Sequence, residues 1–159
     1  MTQRIDYMKQ APAPFKKMIE LGQSIHDSSI GATIRHLVAV RASQINGCGF
    51  CLDMHIKQAA IDGERPLRLH HLASWRESTL FEPRERAALA WTEALTTLSP
   101  LGVPDEIYDR VRGQFSEKEL TELTYEITTI NAWNRVNVAF RPVPGSYDKA
   151  FGLDKSGLA

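Results

Sequence analysis

Arg41-Ala-Ser-Gln-Ile-Asn-Gly-Cys-Gly-Phe-Cys-Leu-Asp-Met-His55 is the junction between two helical patterns, and it holds both cysteines of the chain. Upstream, Ile34, Leu37, Val38 and Ile45 repeat at helical spacing, with Gly31 and Thr33 ahead of them, until Asn46-Gly47 breaks the run. The pattern resumes at once. Cys48 to about Asp62 therefore reads as a helix with the two thiols in its first turn and Gly63 at its end. His55 stands four residues after Cys51, over the same helix face, where it is able to share or take the Cys51 proton.

The same period extends in both directions. Pro14, Phe15, Met18, Ile19 and Leu21 open an earlier helix, with Pro12 and Pro14 near its start, where a missing N–H costs least. A shorter apolar stretch runs from Leu69 to Trp75. Pro83 begins a helix carrying Ala87, Ala88, Leu89, Trp91 and Leu95, and Val103-Pro104-Asp105 begins another. Ser116-Glu-Lys-Glu119 is a capping box ahead of the longest helix, Glu117 to about Phe140. Pro142, Pro144 and Gly145 then end helical order. No alternating strand pattern occurs, so the sequence predicts an all-α fold of about six to seven helices. With 159 residues, 43% of them apolar, and no linker-like tract, residues 1–159 suit a single domain.

Nineteen basic residues balance nineteen acidic ones, which argues against nucleic acid or an anionic membrane as the main partner. The first residues lack the apolar core of a signal peptide, and no stretch approaches the ~20 apolar residues of a membrane span. The expected location is the cytoplasm, where thiols are kept reduced and a C-x-x-C pair cycles more readily than it staples.

Three readings of Cys48 and Cys51 compete. As half of a zinc site they would need two more ligands, and there is no third cysteine; His36 and His55 would complete a Cys₂His₂ set. As a permanent disulfide they would close a loop too short to stabilise much. As a redox dithiol they gain from the helix start, whose unpaired N–H groups and dipole favour a thiolate. On this third reading Cys51, paired with His55, is the nucleophile, and Cys48, at the turn and more accessible, resolves the sulfenic acid into a disulfide.

The run R-A-S-Q-I-N-G-C-x-x-C-x-D-M-H, followed by Ile130-Asn-Ala-Trp-Asn-Arg135, resembles the AhpD-like alkylhydroperoxidases of the carboxymuconolactone decarboxylase superfamily, from about residue 15 to 145. The resemblance implies an all-helical subunit packed into trimers or hexamers. It also implies a thiol peroxidase for organic or hydrogen peroxides, with Cys51 peroxidatic, Cys48 resolving, His55 in a proton relay, a dithiol protein as reductant and no cofactor. Two positions depart from the family pattern. His36 stands where members commonly carry a glutamate, twelve residues before the first cysteine, and Phe50 stands where the better-studied peroxidases carry a histidine. Each change removes a proton-handling group, and such help is typically worth ~10²–10⁴ in rate. His36 reads as a substitute relay member or as an ordinary helix histidine. A lactone-processing decarboxylase is the alternative enzyme of the superfamily, and a dithiol-exchange or redox-sensing protein using the same cysteines is an alternative of a different class.

In the long helix, Leu120, Leu123, Ile127 and Ile130 form an apolar stripe that continues into Asn134 and Asn137. Those amides are expected to bond across a subunit interface, to line the approach to the dithiol or to serve local capping. Trp133 and Arg135 suit an interface, Trp75 and Trp91 the core, and His70-His71 a solvated or capping pair. Asp53, Lys57, Lys16, Lys17, Arg84, Arg86, Glu117, Glu119 and Glu122 read as solvated helix-face charges.

Overall fold

The structure, a computed structural model, describes residues 2–158. Nine α-helices span them: α1 Tyr7–Gln10, α2 Pro12–His26, α3 Ala32–Ile45, α4 Gly49–Ile61, α5 Pro66–His71, α6 Pro83–Thr96, α7 Asp105–Arg112, α8 Glu117–Phe140 and α9 Asp148–Phe151. Two 3₁₀ turns, Leu72–Ser74 and Leu153–Ser156, follow α5 and α9. All seven segments with a helical period are present. The two additional helices, α1 and α9, have four residues each, too few to carry a period, and α9 lies beyond the prolines that were expected to end helical order.

Local chemistry sets the boundaries. Pro12, Pro66 and Pro83 each stand at the first position of a helix. In α8 the capping box forms: Ser116 Oγ accepts from Glu119 N at 3.3 Å and Glu119 Oε2 accepts from Ser116 N at 2.8 Å. That helix ends at Arg141, a non-glycine residue in the left-handed region (φ 54°), and Pro142 forbids its continuation. Between α3 and α4, Gly47 takes a φ of 64°, which turns the chain so that α4 starts immediately.

Helix α3 is central, packed against α4, α6 and α8. It buries residues all round. Ile34 and Val38 meet Trp91, Val111, Leu123 and Ile127 on one side, while Leu37 and Val40 meet Ala59, Leu72 and Leu89 on another. A third side, Ala39 and Ala42, packs on Cys48, Phe50, Cys51 and Ile130. Truncating Leu37, 1% exposed, to alanine would cost about 2–5 kcal/mol. Trp75 and Trp91 are core residues as expected, at 2% and 8% exposure.

Several charges read as solvated are tied down. Lys57 is buried, with Nζ 2.9 Å from Asp53 Oδ2 and 2.6 Å from Asp148 Oδ2, so it clamps α9 onto α4. Arg84 pairs with Glu119 at 2.8 Å and lies over the Phe115 ring, Arg86 donates to the carbonyls of Trp75, Arg76 and Ser78, and Glu122 accepts from Ser29. Apart from Asp53, four residues before Lys57 on the same helix, their partners lie in distant or irregular segments, which helix periodicity does not register. No helix among the described residues is long and apolar enough to cross a membrane.

Candidate active site

Cys48 is the N-cap of α4, and its Sγ accepts from the Cys51 N–H at 3.4 Å. Cys48 is thus the sulfur on which the helix terminus acts, favouring its anion. The structure holds the two cysteines as a disulfide, their Cα atoms 5.4 Å apart.

Cys51 receives its own donor from across the molecule. Asn137 Nδ2, on α8, lies 3.2 Å from Cys51 Sγ, and Asn137 Oδ1 accepts from the Tyr7 hydroxyl at 2.7 Å. Tyr7 is positioned by stacking on Phe140 and by the Arg4 N–H, which donates to Phe140 O at 2.8 Å. Burial, with Tyr147 and Asp6 nearby, pushes the Tyr7 hydroxyl up to about 12, so it keeps its proton. Of the three expectations for Asn134 and Asn137, Asn137 fulfils the one that lines the dithiol. Asn134 instead ties α8 to the α3–α4 junction, donating to Ser43 Oγ at 3.0 Å and accepting from Asn46 at 2.9 Å.

The expected difference in access between the sulfurs is not found. Cys48 is 2% exposed and Cys51 0%. The segment after α8 covers them: Pro144 lies against Gly49, and Tyr147 packs edge-on to Phe50 at 5.9 Å. Phe50 is buried here, so the position that commonly carries a histidine in the peroxidases has become part of an apolar lid.

His55 lies on the cavity side of α4, as its spacing implies, and no hydrogen bond joins it to either sulfur among the described residues. Its Nδ1 lies 2.8 Å from Gln58 Oε1; Nδ1–H is the donor of that pair, which leaves the lone pair on Nε2. Burial pulls its pKa from 6.5 to about 4, against the Gln58 hydrogen bond and with help from His36. His55 is therefore a neutral proton acceptor near pH 7, not a cation. His36 Nε2 meets Asp62 Oδ2 at 2.6 Å, so a carboxylate accompanies the histidine that replaces the glutamate. Among the described residues no group of three or more His, Cys, Asp or Glu side chains is placed to hold a metal, so the proposed Cys₂His₂ set is not assembled. His70 and His71 end α5, with His71 Nδ1 at 3.2 Å from Ser78 Oγ.

A cavity of about 570 Å³ runs beside the dithiol between α2, α3, α4 and α8; Tyr7, His36, Phe50, His55 and Asn137 are among its walls. The geometry is that of a buried dithiol with a hydrogen-bond donor on each sulfur and a neutral base close by.

A family model described as the carboxymuconolactone decarboxylase family matches residues 12–94, a span that includes the dithiol, His36 and His55. The chain belongs to the carboxymuconolactone decarboxylase family. Uncharacterized protein YdfG of Bacillus subtilis is 40% identical over 139 residues, covering 87% of this chain and 95% of that protein. A crystal structure from Agrobacterium tumefaciens, of a protein of unknown function whose name suggests an AhpD antioxidant-defence role, is 38% identical with a TM-score of 0.87, covering 90% of this chain and 98% of that one. This establishes the AhpD-like fold. More distant structures share the fold alone: a peroxidase-related protein of Ralstonia eutropha (18% identity, TM-score 0.77, 87% and 74% coverage) and the debrominase Bmp8 (23%, 0.79, 94% and 80%).

Within this family site, sequence reasoning missed Tyr7, Gln58 and Asp62. Gln58 lies at i+3 from His55 and was findable by helix spacing. Asp62 was read only as a helix end, and Tyr7 carries no local signal.

Proposed function

We propose that this protein is a thiol peroxidase that reduces alkyl and hydrogen peroxides through a Cys48/Cys51 dithiol–disulfide cycle, with a dithiol protein as its reductant. The observation that supports this most is the hydrogen bond from Asn137 to Cys51 Sγ, which supplies a stabilising donor to a buried sulfur, with Asn137 itself in the wall of the cavity.

In the reduced protein, His55 Nε2 takes the Cys51 proton. The thiolate attacks one peroxide oxygen, so that an S–O bond forms as the O–O bond breaks. The departing alkoxide takes the proton back from His55 and leaves as an alcohol. Cys51 is then a sulfenic acid, and Cys48 sulfur attacks it; the S–S bond forms, and hydroxide leaves with the Cys48 proton as water. Two electrons pass from the dithiol to the peroxide, and the reductant returns them by thiol–disulfide exchange. Burial, helped by the nearby His36, keeps the imidazole neutral.

Stopped-flow oxidation of the reduced protein by cumene hydroperoxide and by hydrogen peroxide tests this, with Cys51→Ser and Cys48→Ser alongside. Rapid thiol loss abolished in Cys51→Ser, with a sulfenic acid trapped in Cys48→Ser, is the expected result. Oxidation no faster than that of a free thiol would overturn the peroxidase and favour dithiol exchange.

A further inference from the structure

The cavity is longer than a small peroxide needs, and its far end is polar. Three helices run along it. From Phe15 to His26 on α2, from Cys51 on α4 to Asp62 just past its end, and from Asn137 back to Glu126 on α8 is eleven residues each, or about 16 Å at helical rise. Phe15 packs against Trp133 near the dithiol end, while Ser29, just past α2, donates to Glu122 at the other, so α2 and α8 run antiparallel and bring His26 and Glu126 together. The middle is apolar, lined by Ile19, Met54, Ile130 and Trp133.

Arg35, His26, Glu126 and Thr129 line the end away from the cysteines. Arg35 forms no ion pair among the described residues, and its buried Nε has no hydrogen-bond partner. Thr129, 7% exposed, has a buried hydroxyl that is likewise without a partner. Neither nearby carboxylate forms an ion pair with Arg35 among the described residues. Asp62 is engaged by His36, and burial pushes Glu126 above the usual carboxylate range despite the opposing charges of Arg35 and His26. A guanidinium with an unpartnered Nε and no ion-paired carboxylate, beside the unpartnered Thr129 hydroxyl at the end of an apolar channel, fits the carboxylate of an incoming molecule, which it binds through two parallel N–H···O bonds.

We infer that this end is a carboxylate subsite, and that the preferred substrates are long-chain fatty-acid hydroperoxides bound with the carboxylate at Arg35 and the peroxide at Cys51. This rests on the peroxidase reading for the chemistry, though not for the binding. The electron balance is that given above: the hydroperoxide becomes the hydroxy acid and water as the dithiol becomes the disulfide. The ~16 Å span selects a peroxide group toward the methyl end of the chain over one near the carboxyl end.

Turnover of the linoleic acid hydroperoxide with its –OOH toward the methyl end is compared with that of its methyl ester, in the wild type, Arg35→Gln and Thr129→Val. The expected KM for the acid is about tenfold or more below that for the ester in the wild type, with the preference lost in Arg35→Gln and reduced a few-fold in the isosteric Thr129→Val. Equal handling of acid and ester by the wild type would overturn the subsite. Displacement of a fluorescent apolar probe by linoleate and by methyl linoleate, with the protein in its disulfide form, separates the two proposals. If no peroxide is turned over but linoleate displaces the probe well and its ester poorly, only the peroxidase reading fails. If peroxides are reduced but linoleate and its ester displace the probe alike, or not at all, only the subsite fails.

Discussion

Asn137 Nδ2 donates to Cys51 Sγ across 3.2 Å, joining two residues 86 positions apart in the chain. A donor aimed at a sulfur favours its anion, and hydrogen bonds to charged groups contribute about 1.5–3 kcal/mol. Asn137→Leu should therefore raise the Cys51 thiol pKa and slow its oxidation by peroxide about tenfold to a hundredfold. Tyr7→Phe should have the same direction and a smaller size, since it loosens Asn137 without removing the donor. Thiolate absorbance followed against pH, with stopped-flow rates, checks both.

His55 makes stability depend on pH. Burial lowers its folded pKa to about 4 from an ordinary 6.5, so the unfolded chain binds the proton more tightly. Stability from this group is full above pH 6.5 and falls as the pH drops toward 4, by on the order of 3 kcal/mol. His55→Gln should flatten that window in urea titrations across pH. In the same window the rate of wild-type thiol oxidation by peroxide should hold until close to pH 4, because the neutral imidazole persists.

Glu93 collects three donors around the start of the cysteine stretch. Its Oε1 accepts from Arg41 Nε at 2.8 Å and Trp75 Nε1 at 2.9 Å, and Arg76 bonds Oε2. Burial alone would raise its pKa, but the Trp75, Arg76 and Arg41 bonds outweigh it and hold the carboxyl below the usual range. Glu93→Ala should cost about 3 kcal/mol at pH 7, because Arg41 and Trp75 lose their buried acceptor. A depressed carboxylate stabilises above its unfolded pKa and ceases to as the pH falls through its folded one. The difference from wild type should therefore shrink below pH 4 in denaturant titrations.

What was legible in the sequence follows a physical line. Helix starts at Pro83 and Ser116 and the break at Asn46-Gly47 are decided by groups within four residues, so local reading finds them. The dithiol's place at the start of α4 is of the same kind. Tyr7 to Asn137 spans 130 positions and Lys57 to Asp148 spans 91. Such pairs are made by packing, and a single side chain carries no mark of its distant partner. His36 shows both sides: its helix and register were readable, while Asp62, its partner on another helix, was not.

Lys57 ties the segment that covers the cysteines. Its ammonium, 7% exposed, bridges Asp53 and Asp148, and those hydrogen bonds, that of Asp148 foremost, raise its pKa. Beyond Asp148, Leu153 is buried and Tyr147 packs on Phe50, so the bridge holds a lid whose opening exposes Cys48. Asp148→Asn removes one charge and keeps the side-chain volume, leaving Asp53 to hold Lys57. The lid should open more often, and reaction of the reduced thiols with a bulky aromatic disulfide should speed up about tenfold, the equivalent of ~1.4 kcal/mol in the opening equilibrium. Reaction with hydrogen peroxide, small enough to approach Cys51 from the cavity side past Asn137 and His55, should change much less. Equal acceleration of both reagents would mean that the lid also gates the peroxide route, and no acceleration of either would mean that Leu153 and Tyr147 hold the segment without the ion pair.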